Sequence, residues 1–299
     1  MSELALRRGT PGRGVDAGVA AHYGEPFGEQ RQLLGAGGVI DRSHRGVVRV
    51  GGPDRLSWLH SLTTQHLTEL PAGDVTEALV LSPHGHVEHH LVLFDDAEAT
   101  WIHVEPGTAE ALTSYLDSMR FMLRVDVADV SADYAVVTTV REGDVRDELV
   151  RRPEVADRLT QGPLPVVGHD AFEALRVERR RPRLGFETDH RTIPHEVSWI
   201  GTAVHLDKGC YRGQETVARV HNLGRPPRRL VFAHLDGTVD ELPPPHTPVE
   251  LDGRAVGFLG TAVHHAELGP VALAVVKRQT PDDAQLVVAG MAMQAEPAA

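Results

Sequence analysis

The chain is 299 residues long, 41% hydrophobic and 24% charged, which is room for two or three compact domains at roughly 100 to 200 residues each. Against 42 Asp and Glu stand 30 Lys and Arg, a formal charge of −12, so wrapping nucleic acid or lying on an anionic membrane is not its main business, although a local basic patch and a tRNA-linked role stay open. The single cysteine, Cys210, excludes an intramolecular disulfide, a paired-cysteine zinc site and a cluster held by this chain alone, and fits a reducing cytoplasm.

Residues 1–28 are rich in Gly and small side chains without a period and read as a poorly ordered leader, followed by a short helix over Glu29 to Leu34. Val47 to Val50 is a strand. The turn Gly51-Gly52-Pro53-Asp54 then offers Asp54 as the cap of a helix with Leu56, Leu59 and Leu62 on one face. Leu79 to Leu81 and Val87 to Phe94 form a hairpin around Ser82-Pro83-His84-Gly85-His86. A strand at Trp101 to Glu105 leads to a helix from Thr108, striped by Leu112, Tyr115, Leu116 and Met119. Strands follow at Arg124 to Val130 and Tyr134 to Val140.

Gln161 to Pro165 is a linker, and Asp170 caps a helix through Phe172, Leu175 and Val177 that stops by Pro182. From Leu230 the texture changes to short strands at Leu230 to Leu235, Val249 to Leu251, Ala255 to Val263, Val271 to Lys277 and Leu286 to Ala289. Pro and Gly turns separate them, as in a small closed or nearly closed β-domain. Strands and helices mix without a strict βαβ series, so the class is α+β. The implied division is a leader to 28, a first α+β domain over 29–140, a second α+β region over 141–228 and a β-domain over 229–299. The longest apolar runs, such as Val271 to Val276, fall far short of the roughly 20 residues that cross a bilayer, so no membrane partner is expected.

Chemistry concentrates at Lys208-Gly209-Cys210-Tyr211-Arg212-Gly213-Gln214-Glu215, which sets the only thiol between two glycines and two cations. Lys208, Arg212 and the start of a helix at Gln214 would favour the thiolate, whereas a small buried side chain is the plainer outcome. Histidines number 18. Period-two geometry puts His86, Glu88 and His90 on one strand face as possible zinc or iron ligands, with His89 on the other and His84 in the turn. Polar residues on an open sheet face need no metal, and no metal ligand is assigned. Two basic stretches stand out: Arg176, Arg179, Arg180, Arg181 and Arg183, then Arg225, Arg228 and Arg229.

The Lys208 to Glu215 segment resembles the signature of the YgfZ-type folate-binding proteins, relatives of aminomethyltransferase, the glycine-cleavage T-protein. Asp41-Arg42-Ser43-His44, Val50-Gly51-Gly52-Pro53-Asp54-Arg55, Leu175-Arg176-Val177-Glu178, Gly185-Phe186-Glu187 and Ile193-Pro194-His195-Glu196 occur in the family's order, across roughly residues 20 to 290. The resemblance implies ferredoxin-like α/β parts around a central cavity with a C-terminal β-barrel. It also implies tetrahydrofolate or a one-carbon derivative as ligand, and iron–sulfur assembly or client proteins as partners.

A reduced folate needs an apolar slot, a carboxylate or amide for its ring donors and cations for its glutamate tail. Arg176 matches the Leu-Arg-x-Glu position of the aminomethyltransferases and is expected at the tail. Glu187, Glu196 and Glu215 are candidates for the pterin-facing or positioning carboxylate and Trp199 for a flat wall. The signature's Lys208, Tyr211, Arg212 and Gln214 complete the folate-binding set. Cys210 is the candidate catalytic thiolate, a transient contact shared with a partner because one thiol cannot hold a cluster. Where aminomethyltransferases carry an Asp-Asp pair, this sequence has Val87-Glu88-His89-His90-Leu91, which counts against glycine-cleavage chemistry. The alternatives are a folate-dependent one-carbon transferase acting on an amine, protein or tRNA, and a cysteine hydrolase pairing Cys210 with a histidine.

Overall fold

The computed structural model describes residues 9–237 and 241–296. The chain divides into two compact units, each stitched from three segments. One comprises the residues up to Val80, His89–Phe172 and Asp207–Tyr211; the other comprises Leu81–Glu88, Glu173–Leu206 and the chain from Arg212 onward.

The first unit is organised by strands whose β-branched residues face apolar neighbours. A short hairpin, β1 (Thr10–Pro11) and β2 (Ala20–His22), precedes helix α1 (Pro26–Gly35). Strands β3 (Gly38–Asp41) and β4 (Gly46–Gly51) lead into α2 (Arg55–Leu62). The hairpin β5 (Val75–Leu81) and β6 (Val87–Asp95), then β7 (Ala99–Val104), α3 (Ala109–Ser118) and β8 (Asp126–Asp129), complete a five-stranded sheet in the order β5-β6-β7-β4-β8. Trp58 and Leu59 of α2 and Leu112 and Leu116 of α3 pack on Val48, Val50, Leu91, Leu93, Ile102 and Val104 of that sheet. Burying each leucine is worth about 1.5–3 kcal/mol, so the predicted stripe of α3 earns its place there. Met119, the stripe's last member, falls past the helix end and is half-exposed.

A second, four-stranded sheet runs β10 (Asp144–Arg151), β9 (Tyr134–Arg141), β3 and β11 (Val166–Val167), with β11 parallel to β3 and the rest antiparallel. Helix α4 (Val155–Thr160) covers it through Val155 and Leu159.

Two expectations change. Residues 9–28 carry structure where a poorly ordered leader is expected: Val19, Ala20 and Ala21 are buried, and Glu29 holds the Tyr23 and Gly168 amides through its two carboxylate oxygens. At Gly168 the backbones come so close that a Cβ would sit 2.0 Å from the Ala21 carbonyl oxygen. Residues 1–8 lie outside the described residues. Asp54 does precede α2, yet its carboxylate makes no cap bond; it accepts from the Arg124 amide at 2.9 Å and from the Arg124 guanidinium.

In the second unit, α5 (His169–Glu178), which begins in the first, delivers Val177 onto Phe232, Val271 and Leu273. Helix α6 (Gln214–Leu223) follows the signature segment. The β-domain is a closed six-stranded barrel, β12 (Arg228–Leu235), β15 (Gly269–Lys277), β14 (Arg254–His265), β13 (Pro248–Leu251), β16 (Gln285–Val288) and β17 (Met291–Ala295). Five of its strands match the sequence expectation. The sixth, β17, closes the barrel by pairing with both β12 and β16, which removes the free edges an open sheet would expose. Among the described residues no helix is long and apolar enough to cross a membrane.

Candidate functional site

Arg176 sits in the last turn of α5. A guanidinium carries five N–H donors and no acceptor, and here all are taken. Nε and one Nη donate to the two oxygens of Glu173, the same Nη also donates to Thr261 Oγ1, and the other Nη donates to the Arg181 carbonyl and to Glu187. Glu187 has no exposed surface. Its oxygens also accept the Arg183 amide at 2.7 Å and the Thr261 amide at 2.6 Å. Burial works against the Arg176 charge, yet the carboxylates of Glu173 and Glu187 outweigh it and hold the guanidinium above its usual range.

This closed arrangement ties α5, the 183–187 loop and barrel strand β14 together. It corrects two sequence expectations: Arg176 has no donor left for a folate tail, and Glu187 has no surface to offer a pterin.

A second ion-pair group lies in the same unit. Arg228, at the start of β12, donates to both oxygens of Asp189 at 2.7 and 3.0 Å and to both oxygens of Glu196 at 2.8 Å. Glu196 additionally accepts the Ile193 amide at 3.1 Å, at the start of the 3-10 turn Pro194–Val197. Glu196 is 2% exposed and Trp199 1% exposed, so the expected positioning carboxylate is engaged and the expected flat wall is core. Arg229 is tied to Asp282 and the Thr280 carbonyl. Of the second basic stretch only Arg225 faces solvent, where Arg225, Pro226, Pro227, Lys277, Arg278 and Gln279 line a cavity of about 720 Å³.

The signature segment is positioned at both ends. Lys208 is buried, its ammonium donating to the carbonyls of His60 and Thr63 where α2 ends and lying 4.9 Å from the centre of the Tyr211 ring. A cation there complements the negative end of the helix, while burial pulls the Lys208 amine down to about 8. Tyr211 is also buried, which pushes its phenol up to about 12. Gly213 caps α6 with φ +83°, and a Cβ there would meet the Ser82 carbonyl oxygen at 2.6 Å.

Cys210, between these anchors, is exposed and free. Of the flanking cations, Lys208 donates to carbonyls and Arg212 donates to Glu88 at 3.2 Å. Among the described residues no imidazole is hydrogen-bonded to Sγ, so the contact a cysteine hydrolase needs is not formed. Arg212 and Gln214 keep part of their surface and Glu215 is exposed.

The hairpin histidines disperse. His90 pairs with Glu77 at 2.8 Å, His89 packs 6.5 Å from the Tyr115 ring, and the rings of His84 and His86 lie 6.3 Å apart.

Three kinds of likeness bear on what such a molecule does. Residues 27–140 match the family model described as the GCVT N-terminal domain. The chain is 23% identical to the chloroplastic protein At1g60990 of Arabidopsis thaliana over 74% of this chain and 60% of that protein. It is 23% identical to an aminomethyltransferase of Symbiobacterium thermophilum, over 93% and 89% of the two chains. With the mitochondrial iron–sulfur cluster assembly factor IBA57 homolog of Mycosarcoma maydis it shares 26% identity, covering 77% of this chain and 65% of that one. It thus spans less than two thirds of two of these relatives. The fold is that of the glycine cleavage system aminomethyltransferase T from Bartonella henselae, with a TM-score of 0.83 at 15% identity over 99% of this chain and 95% of that one.

Proposed function

We propose that this protein binds tetrahydrofolate or a one-carbon derivative and serves the assembly or repair of iron–sulfur proteins, with Cys210 as the group that meets a cluster or a partner thiol. The observation that carries the choice over an aminomethyl transferase is the state of the hairpin strand β6. Where the resemblance places paired acids, Glu88 is bound by Arg212, His89 is packed on Tyr115 and His90 is bound to Glu77. His89 and His90 offer no carboxylate there to hold an amine while folate attacks it, and the neighbouring Glu88 is engaged by Arg212. An exposed thiol on a loop anchored by Lys208 and Gly213 suits brief exchange with a partner, and the likeness to an iron–sulfur cluster assembly factor supports the same reading.

The folate-binding set is narrower than the sequence indicates. Arg212, Gln214 and Glu215 are the candidates with surface to offer, Lys208 and Tyr211 hold the loop, and Arg176, Glu187, Glu196 and Trp199 act through the frame. The exposed cations Arg225, Lys277 and Arg278 are suited to the anionic tail.

Calorimetric titration of the reduced protein with tetrahydrofolate and its formyl and methylene forms tests the ligand. Restoration of a cluster-dependent dehydratase in a strain lacking this protein tests the role. Micromolar or tighter binding that survives Cys210→Ser, combined with failure of Cys210→Ser to restore the dehydratase, is the expected result. No binding of any folate removes both folate readings, and folate-dependent product formed from an amine moves the assignment to the transferase.

A further inference from the structure

Three residues far apart in sequence converge in the first unit. Asp16 ends the 3-10 turn Gly14–Asp16, His44 lies in the turn between β3 and β4, and His169 opens α5. Asp16 Oδ1 is 3.0 Å from His44 Nε2 and 3.4 Å from His169 Nε2, and one donor atom from each residue falls within 4.8 Å of the other two. An ion bound at about 2.0–2.2 Å by such atoms requires donor–donor edges between roughly 3.0 Å in an octahedral site and 3.5 Å in a tetrahedral one, and the two carboxylate–imidazole edges lie within that range.

The second observation concerns unmet bonding capacity. The His44 and His169 side chains are each 4% exposed, yet His44 Nδ1 and both ring nitrogens of His169 make no hydrogen bond. Buried polar atoms nearly always find partners. The shared carboxylate hydrogen-bonds His44 but stands 3.4 Å from His169 without a hydrogen bond; a cation between the three would take one lone pair from each ring and so engage His169 Nε2, leaving the two Nδ1 atoms unpartnered.

The surroundings fit an ion that enters and leaves. On one side the Phe172 ring stacks on His169 at 6.1 Å and is itself covered by the Arg42 guanidinium at 4.4 Å. On the other, His44 lines a cavity of about 420 Å³ together with Gly18, Ser43 and Arg45. The supporting elements are fixed, since Ser43 donates its amide to Asp41 and Gly168, just before His169, donates to Glu29.

We propose that Asp16, His44 and His169 form a binding site for one divalent first-row transition-metal ion. Two imidazoles and one carboxylate favour zinc, iron(II), cobalt(II) or manganese(II) over magnesium or calcium, which prefer an all-oxygen set. Three protein ligands leave coordination positions for water or a small ligand from the cavity. The unpartnered Nδ1 atoms provide no outer support to the rings, so the ion is held exchangeably. The site stands independently of the folate assignment.

The test uses the full-length, tag-free protein carrying Cys210→Ser, so that no thiolate competes, and cobalt(II) chloride as the probe. One equivalent of cobalt should give visible d–d bands that zinc displaces. Zinc at a hundredfold excess over Kd should raise Tm by about 5–10 °C. Asp16→Asn and His169→Gln should each weaken binding by about tenfold or more, while His86→Ala leaves it unchanged. X-ray absorption of the zinc complex of the otherwise unaltered chain should show two imidazoles, a measurement that does not depend on a variant folding. Absence of stoichiometric cobalt binding, binding undiminished in both ligand variants, or an absorption spectrum without imidazole scattering overturns the proposal.

Discussion

Replacing Arg176 by alanine is expected to weaken the fold first and ligand binding only as a consequence. The substitution deletes five hydrogen bonds and leaves Glu187, which has no exposed surface, without its guanidinium. Removing one partner of a buried ion pair costs about 3–5 kcal/mol, because the remaining charge stays desolvated. The Arg183 and Thr261 amides still bind Glu187, and Arg183 lies 3.5 Å from Glu173, which places the expectation near the lower end, about 3 kcal/mol. Against a domain stability of about 5–15 kcal/mol this is a large fraction.

In urea the transition midpoint should fall by about 1–3 M at unchanged slope. Adding Glu187→Gln to Arg176→Ala should recover part of the loss, since the buried charge is then gone. A loss below about 1 kcal/mol accompanied by lost folate affinity would refute the argument and make Arg176 a ligand contact.

The two signature glycines should part company: Gly213→Ala, which drives a Cβ into Ser82 at φ +83°, should cost about 1–3 kcal/mol, whereas Gly209→Ala, whose Cβ meets nothing nearer than His60 Nε2 at 3.8 Å, should stay within about 0.5 kcal/mol by chemical denaturation. Lys208 should titrate near 8. The chain has only two lysines, so carbon-13 lysine NMR with Lys277→Arg as the assignment control reads Lys208 directly, and a midpoint above 10 would contradict its burial. Because the unfolded amine keeps its proton up to about 10.4, the unfolded chain binds more protons between that value and about 8, and Lys208 makes stability rise with pH across that window. Cys210 should react with one equivalent of a disulfide reagent in the native protein without denaturant, given its exposure; a requirement for unfolding would remove it from any encounter with a partner.

The elements legible in the sequence are those whose residues meet one environment along their length. The α3 stripe and the barrel strands alternate or repeat with the period of their own geometry. Strand β10, Asp-Val-Arg-Asp-Glu-Leu-Val-Arg, escapes because it is an edge strand with most side chains in solvent, and β3 because a four-residue strand that opens on a glycine carries no period. In the site the residue types were visible and their partners were not. Arg176 and Glu187 both stand out in the sequence, but that they pair, with Glu173, Thr261 and backbone groups filling what remains, depends on α5, a loop and β14 meeting in space. Asp16 fell in an expected leader, His44 served only as part of a motif, and His169 as the residue beside a helix cap. Residues separated by 28 and 125 positions leave no local signal of their convergence.

The interleaved build of the two units has a consequence for how the chain is made. Five junctions separate the six segments, so no single cut divides the protein into halves that each retain a whole unit. The first unit lacks its final piece until Asp207–Tyr211 has been synthesised, and that piece carries the Lys208 ammonium that engages carbonyls 148 and 145 residues upstream. A ribosome adding about 5–20 residues per second therefore exposes an incomplete first unit for roughly 7–30 seconds between Thr63 and Lys208. Genetic fragments ending before residue 207 should emerge unable to close it, and chaperone demand should fall on the nascent chain rather than on the finished protein.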